Sequence, residues 1–103
     1  MAYIVGFQFC KKGKIKYISH LDLARLFARA GRRAGLPLYL TKGFSPRPKI
    51  VFKKALKLGV ESDNEECSVY LNEPMRADEF KQKLNACLPE GVNVLEVFSI
   101  NKK

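Results

Sequence analysis

The sequence has few of the residues from which catalytic and metal sites are built. Its 103 residues include no tryptophan, one histidine and three cysteines. Since the cysteines form no CxxC pair and no CxxxCxxC triplet, neither a zinc site nor a cysteine-bound iron–sulfur cluster is predicted. Each falls at an apolar-periodic position, which is typical of small buried hydrophobes in a reducing compartment. We therefore expect no metal and no cofactor at Cys10, Cys67 and Cys87.

Long hydrophobic runs are also missing. No apolar run approaches the ~18 residues that a bilayer-spanning helix requires. The first ten residues, M-A-Y-I-V-G-F-Q-F-C, have no basic n-region and alternate as a strand does, so they do not resemble a signal peptide. Because the hydrophobic fraction of 47% is enough for a core, we expect a single domain over residues 1–103, located in the cytoplasm and without a membrane partner.

Acidic residues are scarce in the first sixty positions. This half holds fourteen Lys and Arg residues against Asp22 alone, a net charge of +13, whereas residues 61–103 have a net charge of −4. Such a surplus indicates a polyanionic partner, RNA before DNA or a membrane surface. A basic domain without any nucleic-acid partner is the alternative, because many small cytoplasmic domains are basic.

Hydrophobic periodicity predicts an alternation of strands and helices. Strands are predicted at residues 3–10, 38–41, 49–53, 67–71 and 92–100, with a further short strand at 15–18. Helices are predicted from Ser19 to Gly35 and over 77–88. Between these elements we expect a basic turn at 11–14, an irregular crossing at 55–60 and an exposed acidic turn at 61–66.

This order of elements predicts the fold class. It is an α+β protein, a ferredoxin-like split βαβ sandwich with an antiparallel sheet of four to five strands and two helices on one face. The predicted core faces are Tyr3, Val5, Phe7 and Phe9 in the first strand, Leu23, Leu26, Phe27, Ala30 and Ala34 in the first helix, Ile50 and Phe52 in the 49–53 strand, and Phe80, Leu84, Cys87 and Leu88 in the second helix. The fold alone does not identify a function.

The first helix carries the sharpest functional pattern. Arg25, Arg29 and Arg32 are spaced i, i+4 and i+7, which places them on one stripe, and Arg33 lies beside it. Guanidinium groups bind phosphate oxygens in a bidentate manner, so the stripe predicts phosphate binding. A simple solvated helix face is the alternative.

A second candidate is the segment T-K-G-F-S-P-R-P-K-I at 41–50. Its prolines keep the backbone extended and stiff. Three cations and one aromatic ring fit a phosphate chain with a base stacked on the ring. These residues are Lys42, Phe44, Arg47 and Lys49. For Phe44, a role in capping the hydrophobic core is the equally weighted alternative.

Candidate ligand contacts also lie where the first helix begins. Ser19 is the predicted N-cap, with Asp22 three residues later as in a capping box. His20 stands between them at the positive end of the helix dipole, which favours its neutral form. Neighbouring residues at a helix start do not aim their side chains at one point, so we predict no catalytic residue here. A small hydrolase or nuclease that uses His20 is the minor alternative.

Three separated segments carry a resemblance to a known family. They are S-H-L-D-L-A-R-L-F-A-R-A-G-R-R-A-G-L-P, K-G-F-S-P-R-P-K-I and L-K-L-G-V-E-S. Over about residues 3–98 the chain resembles the radical SAM-linked proteins, domains of unknown function that are fused to radical S-adenosylmethionine proteins or encoded beside them, often near genes for ribosomal proteins and RNA-processing nucleases. It departs from the pattern at Ser45, where asparagine is common, and at Lys57, where proline is common.

The resemblance implies a radical SAM enzyme as a candidate partner and supplies no catalytic residue. Radical SAM chemistry needs a cluster-binding cysteine triplet, which this chain lacks, so the chain is not the enzyme of the pair. The leading hypothesis is a non-catalytic accessory domain that binds tRNA or rRNA, with bases stacked on Phe44 and on Tyr17 or Tyr39. The alternative is a module that docks on an acidic partner enzyme.

Overall fold

A computed structural model describes residues 2–54 and 57–102. The elements follow in the order β1 (Tyr3–Lys11), a 3₁₀ helix (Gly13–Tyr17), α1 (His20–Arg33), β2 (Ile50–Phe52), β3 (Ser62–Leu71), α2 (Ala77–Cys87) and β4 (Val92–Lys102). In this part of the chain, no helix is long and apolar enough to cross a membrane.

The four strands form one antiparallel sheet in the order β2-β3-β1-β4. Since α1 connects β1 to β2 and β3 lies between those two strands, the arrangement is the split βαβ of the ferredoxin-like fold. The predicted fold class is therefore confirmed, with four strands.

Both helices cover the same face of the sheet. Val5, Phe7 and Phe9 of β1 point to this face because alternate residues of a strand share a side. The Phe7 ring lies 5.6 Å from the Phe27 ring of α1 and 5.5 Å from the Phe80 ring of α2, centroid to centroid. The other face of the sheet carries no helix among the described residues, and we call it the open face.

The predicted helix stripes form the core as expected. Leu23, Phe27 and Ala30 are buried in α1, with Leu26 and Ala34 packed against them. In α2, Phe80 and Leu84 are buried, with Cys87 and Leu88 at the margin.

Two predicted strands are wrong. Residues 15–17 belong to the 3₁₀ helix and Ile18 is its C-cap, because Gly13 at φ +67° turns the chain and sets Ile15 and Ile18 against the core. The segment 38–41 forms isolated bridges, Leu38 with Leu71 and Leu40 with Pro48. Since Leu38 and Leu40 pair with different segments of the chain, the two bridges form no continuous ladder.

The predicted acidic turn at 61–66 is also wrong over most of its length. Ser62 pairs with Lys11, Glu65 with Phe9 and Glu66 with Gln8, so this stretch is the first half of β3. Pairing with β1 outweighs the low strand propensity of Asp, Asn and Glu. The predicted crossing at 55–60 lies partly outside the described residues, and residues 57–60 within it form no helix or strand.

Candidate nucleic-acid interface

Local sequence signals position α1 and orient its exposed side. The Ser19 hydroxyl accepts a hydrogen bond from the Asp22 N–H at 3.1 Å, which confirms the predicted N-cap. The helix ends at Arg33, and Gly35 follows at φ +74°, a conformation that favours glycine. With Leu23 and Phe27 buried, the opposite side of the helix faces solvent.

The four helix arginines lie together on this exposed side. Successive residues of an α-helix advance by about 100°, so the four Cα–Cβ directions fall within an arc of roughly 100°. All four side chains are exposed: Arg25, Arg29, Arg32 and Arg33. We call this surface the arginine face.

The arginine face keeps most of its charge unpaired. Arg25 donates a hydrogen bond to the Asp22 carboxylate at 3.3 Å, and both side chains are more than half exposed. Within residues 2–54 and 57–102, Arg29, Arg32 and Arg33 have no ion pair. The carboxyl end of the helix dipole stabilises cations at Arg32 and Arg33, which offsets part of their mutual repulsion. Three free guanidinium groups can thus bind anions.

A shallow groove runs beside the arginine face, between α1 and the end of α2. It encloses about 310 Å³, and Arg29 and Arg33 line its α1 side together with Leu26 and Ala30. Its other wall is Ala86, Cys87, Leu88 and Pro89. Apolar walls beside two guanidinium groups suit a phosphate together with the flat face of an attached sugar or base.

The segment 41–50 forms an exposed loop before β2. The Thr41 hydroxyl accepts a hydrogen bond from the Arg47 N–H at 3.2 Å, and the Thr41 N–H donates to the Arg47 carbonyl at 2.7 Å. These bonds close the loop and leave Lys42, Phe44 and Arg47 exposed. Phe44 is fully exposed, so it does not cap the core.

Lys49 lies on a different surface from the arginine face. Its Nζ is 4.5 Å from the centroid of the Tyr70 ring, and the Tyr39 ring is 6.4 Å from the same ring. Tyr70 alternates with the core residues Val69 and Leu71, so its side chain is on the open face. The sheet therefore separates Lys49 from the arginines, and the predicted residues do not form one continuous surface.

The start of α1 does not assemble a catalytic group. The His20 ring lies edge-on to the Phe52 ring of β2, with the centroids 4.6 Å apart. In the part of the chain that the structure describes, no hydrogen bond joins His20 to Ser19 or Asp22. Ser19 caps the helix and Asp22 pairs with Arg25, while His20 packs against Phe52 and is exposed.

The three cysteines are free thiols, with Cys10 and Cys67 buried and Cys87 half-buried. Burial raises the pKa of the Cys67 thiol, which keeps it protonated and unreactive at neutral pH. Among residues 2–54 and 57–102, no three His, Cys, Asp or Glu side chains are grouped so that they could hold a metal ion.

Sequence reasoning missed a set of contacts that the segment L-K-L-G-V-E-S makes. The buried Lys11 Nζ donates to the Lys57 carbonyl, and the Gly59 N–H donates to the Lys16 carbonyl at 2.7 Å. The Gly13 N–H donates to the Glu61 carboxylate at 2.7 Å. The segment thus holds the 3₁₀ helix in place. K-K-G-K indicates only a basic turn, so no local signal could have revealed these contacts.

Comparison with known proteins identifies a family. A family described as "Uncharacterized protein conserved in bacteria (DUF2344)" matches residues 5–103. No curated protein and no solved structure matches the chain.

Proposed function

The chain belongs to the DUF2344 family of bacterial proteins, and we propose that it is a non-catalytic domain that binds RNA through the arginine face of α1. The observation that carries the proposal is the group of three exposed arginines, Arg29, Arg32 and Arg33, without an ion pair in the described part of the chain. Three adjacent cations on a helix repel one another, and the helix dipole offsets only part of this repulsion. A polyanion removes that cost when it binds.

RNA fits this surface better than duplex DNA. The bases of duplex DNA are stacked and paired inside the double helix, whereas single-stranded RNA can place its bases on a protein surface. The arginine face can follow a phosphate chain, and the groove at Arg29 and Arg33 can accept a phosphate with its sugar or base. The exposed Phe44 ring offers a surface on which an unpaired base stacks, as single-stranded RNA allows.

The second part of the proposal is that the bound RNA is presented to a radical SAM enzyme. Its support is the resemblance of three segments to the radical SAM-linked proteins and the absence of a cysteine triplet in the sequence. The chain would then supply RNA affinity, and the enzyme would supply the chemistry.

Binding to a fluorescent single-stranded RNA and to tRNA, measured by anisotropy across a sodium chloride series, tests the RNA proposal. We expect the triple variant Arg29→Gln, Arg32→Gln, Arg33→Gln to lose more than about tenfold in affinity at low salt. Each phosphate contact on a single strand contributes about 0.7 to the slope of log K against log salt concentration, so the slope should fall by about 2 in this variant.

The matched control removes three cations from α2, where Arg76 and Lys83 are already paired with carboxylates. This variant, Arg76→Gln, Lys81→Gln, Lys83→Gln, has the same net charge as the test variant. If both variants lose affinity equally, binding reflects net charge and not the arginine face. An absence of binding by the unmodified chain at low salt would also overturn the proposal.

A further inference from the structure

The open face has an apolar row across all four strands. Strand register aligns Val51 of β2 with Ser68 of β3, and Ser68 with Gly6 of β1. On the other side of Gly6, the paired residue of β4 is Ser99, and Phe98 is its neighbour in the chain. Val51 is 45% exposed and Phe98 48% exposed, so two large apolar side chains flank a centre of two small residues.

This row forms a shallow hollow of about 210 Å³. Gly6 and Ser68 form its floor, and Val51 and Phe98 stand at its two sides. Three strand spacings of about 4.8 Å separate β2 from β4, so these sides are about 14 Å apart. An aromatic side chain fits between them.

A bulge in β4 exposes the Phe98 ring. Gly6 pairs with Ser99 and Phe7 pairs with Val97, so Phe98 is the extra residue of the bulge. Val97 and Ile100 pack against the core. Bulges redirect side chains at sheet edges, and here the result is an exposed ring over the hollow.

The next row of the open face carries opposite charges at its two ends. Lys53 follows β2, and its ammonium lies 3.3 Å from the Glu66 carboxylate of β3. Along the row, Glu66 pairs with Gln8 of β1, and Gln8 pairs with Glu96 of β4. The row thus begins with a cation at the β2 edge and ends with a carboxylate at the β4 edge. Glu96 is exposed and has no ion pair among the described residues.

From these two rows we propose that the open face binds the open face of a second copy of this chain. A two-fold axis parallel to the strands places β2 of one protomer over β4 of its partner at the same level along the strands. The Phe98 ring of each copy then packs against Val51 of the other, and the two hollows face each other between these contacts. In the adjacent row, Lys53 of each copy meets the partner's Glu96, so the surface is complementary to itself in charge and in the pairing of its apolar side chains.

The open face has no net positive charge to attract RNA, because Lys49 and Lys53 are balanced by Glu66 and Glu96. Within the row, Lys53 is already paired with Glu66, and Glu96 would repel a phosphate. RNA and a second copy thus use opposite sides of the sheet, and the dimer leaves both arginine faces exposed.

The size of the face predicts the strength of the dimer. The strands β1, β2, β3 and β4 contain 9, 3, 10 and 11 residues, so at about 3.3 Å per residue and about 4.8 Å per strand the face covers roughly 520 Å² for each protomer. Interfaces that bury less than about 1,200 Å² in total are typical of weak, reversible complexes. We therefore expect a dimer whose population rises with protein concentration.

Sedimentation velocity without RNA, over a range of concentrations, tests the proposal. The unmodified chain should shift from monomer to dimer as its concentration rises. Phe98→Glu should remain a monomer, because it places a carboxylate in the apolar row. Lys53→Glu alone and Glu96→Lys alone should each weaken the dimer at least tenfold, since like charges then meet at both ends.

An equimolar mixture of Lys53→Glu and Glu96→Lys gives the decisive result. In the mixed dimer, the carboxylate introduced at position 53 of one variant meets the ammonium introduced at position 96 of the other. The unmodified Lys53 and Glu96 meet at the opposite end, so association should return to near the level of the unmodified chain. Lys54→Glu and Glu73→Lys are matched controls outside the two rows and should still dimerise. Circular dichroism and urea midpoints confirm that each variant is folded.

A chain that stays monomeric at every concentration would overturn the proposal, as would a mixture that associates no better than its components. A heavier complex that forms only when another protein is added would assign the open face to that protein instead. These outcomes are separate from RNA binding, because the arginine face is intact in every variant.

Discussion

Gly91 connects α2 to β4 at a point where a side chain does not fit. Its φ is +97°, and its carbonyl accepts a hydrogen bond from the Lys12 N–H at 2.8 Å. A Cβ atom at this position would lie 2.5 Å from the Lys12 carbonyl oxygen and 3.0 Å from a methyl carbon of Ile15. Because one of these atoms belongs to the backbone, relief would require the 3₁₀ helix to move.

We expect Gly91→Ala to lower the free energy of unfolding by at least about 2 kcal/mol, since a positive φ costs a residue with a Cβ about 1–2 kcal/mol and the close contact adds to this. Gly35→Ala is the control, because Gly35 has φ +74° and open space around its Cβ position. It should show the conformational cost alone. Equal losses for the two variants in urea denaturation would mean that the contact with Lys12 is relieved at no cost.

Lys11 shows how burial depends on distant segments. Its side chain is completely buried, although it begins a run of basic residues. Its Nζ donates to the Lys57 carbonyl. A lysine is seldom buried unless its charge has a hydrogen-bond acceptor. Here the backbone of a segment 46 positions away supplies one.

At the scale of elements, the 3₁₀ helix depends on the segment 57–61. A helix of this length is marginal by itself. Two contacts with this segment stabilise it, Gly13 with Glu61 and Lys16 with Gly59. The segment L-K-L-G-V-E-S thus has a structural role through Gly59 and Glu61.

Glu61→Ala should lower the free energy of unfolding by about 1 kcal/mol, because an exposed charge-assisted hydrogen bond contributes modestly. Glu61→Gln keeps an oxygen acceptor and should lose about half as much. Hydrogen exchange should become faster at Gly13 in the alanine variant. The control is Glu73→Ala, since Glu73 is exposed and has no ion pair in the described chain. Unchanged exchange at Gly13 would contradict this role for Glu61.

At the scale of the whole molecule, the charge is divided between the halves of the chain. The +13 of residues 1–60 is concentrated on the arginine face, the 41–50 loop and the lysines near the 3₁₀ helix. On the open face, Lys53 of this basic half is paired with Glu66 of residues 61–103, which carry a net charge of −4. The exposed arginines of α1 and the exposed Val51 and Phe98 therefore lie on opposite sides of the sheet.

The proposed partnership with a radical SAM enzyme predicts a specific recovery in affinity purification. A tagged chain should retain a radical SAM protein from its own organism, identified by mass spectrometry. If RNA bridges the two, treatment of the lysate with nuclease should release the enzyme, whereas direct docking should survive the treatment. The Arg29→Gln, Arg32→Gln, Arg33→Gln variant should lose the enzyme if RNA bridges the two proteins and should retain it if they dock directly. If no radical SAM protein is recovered under either condition, the partnership is wrong.

Local patterns determined much of the fold in advance. The alternation of Val5, Phe7 and Phe9 identified β1, and the cap at Ser19 identified the start of α1. The arginine face was equally predictable, since 3.6 residues per turn bring the four arginines to one side of any helix that begins there. The strands at 15–18 and 38–41 are wrong because apolar alternation does not show whether a segment finds a strand to pair with: Gly13 turns the first into a 3₁₀ helix, and the second makes only isolated bridges.

The sequence by itself therefore determined the elements with strong periodicity, the order of the split βαβ fold and the arginine face. Only the tertiary structure decided that Ser62–Glu66 extends β3, that Lys49 lies across the sheet from the arginines, and that a bulge exposes Phe98. The physical reason is the range of the interactions. Helix periodicity and capping act within a few residues, whereas strand register joins positions such as Gln8, Glu66 and Glu96 that are far apart in the chain.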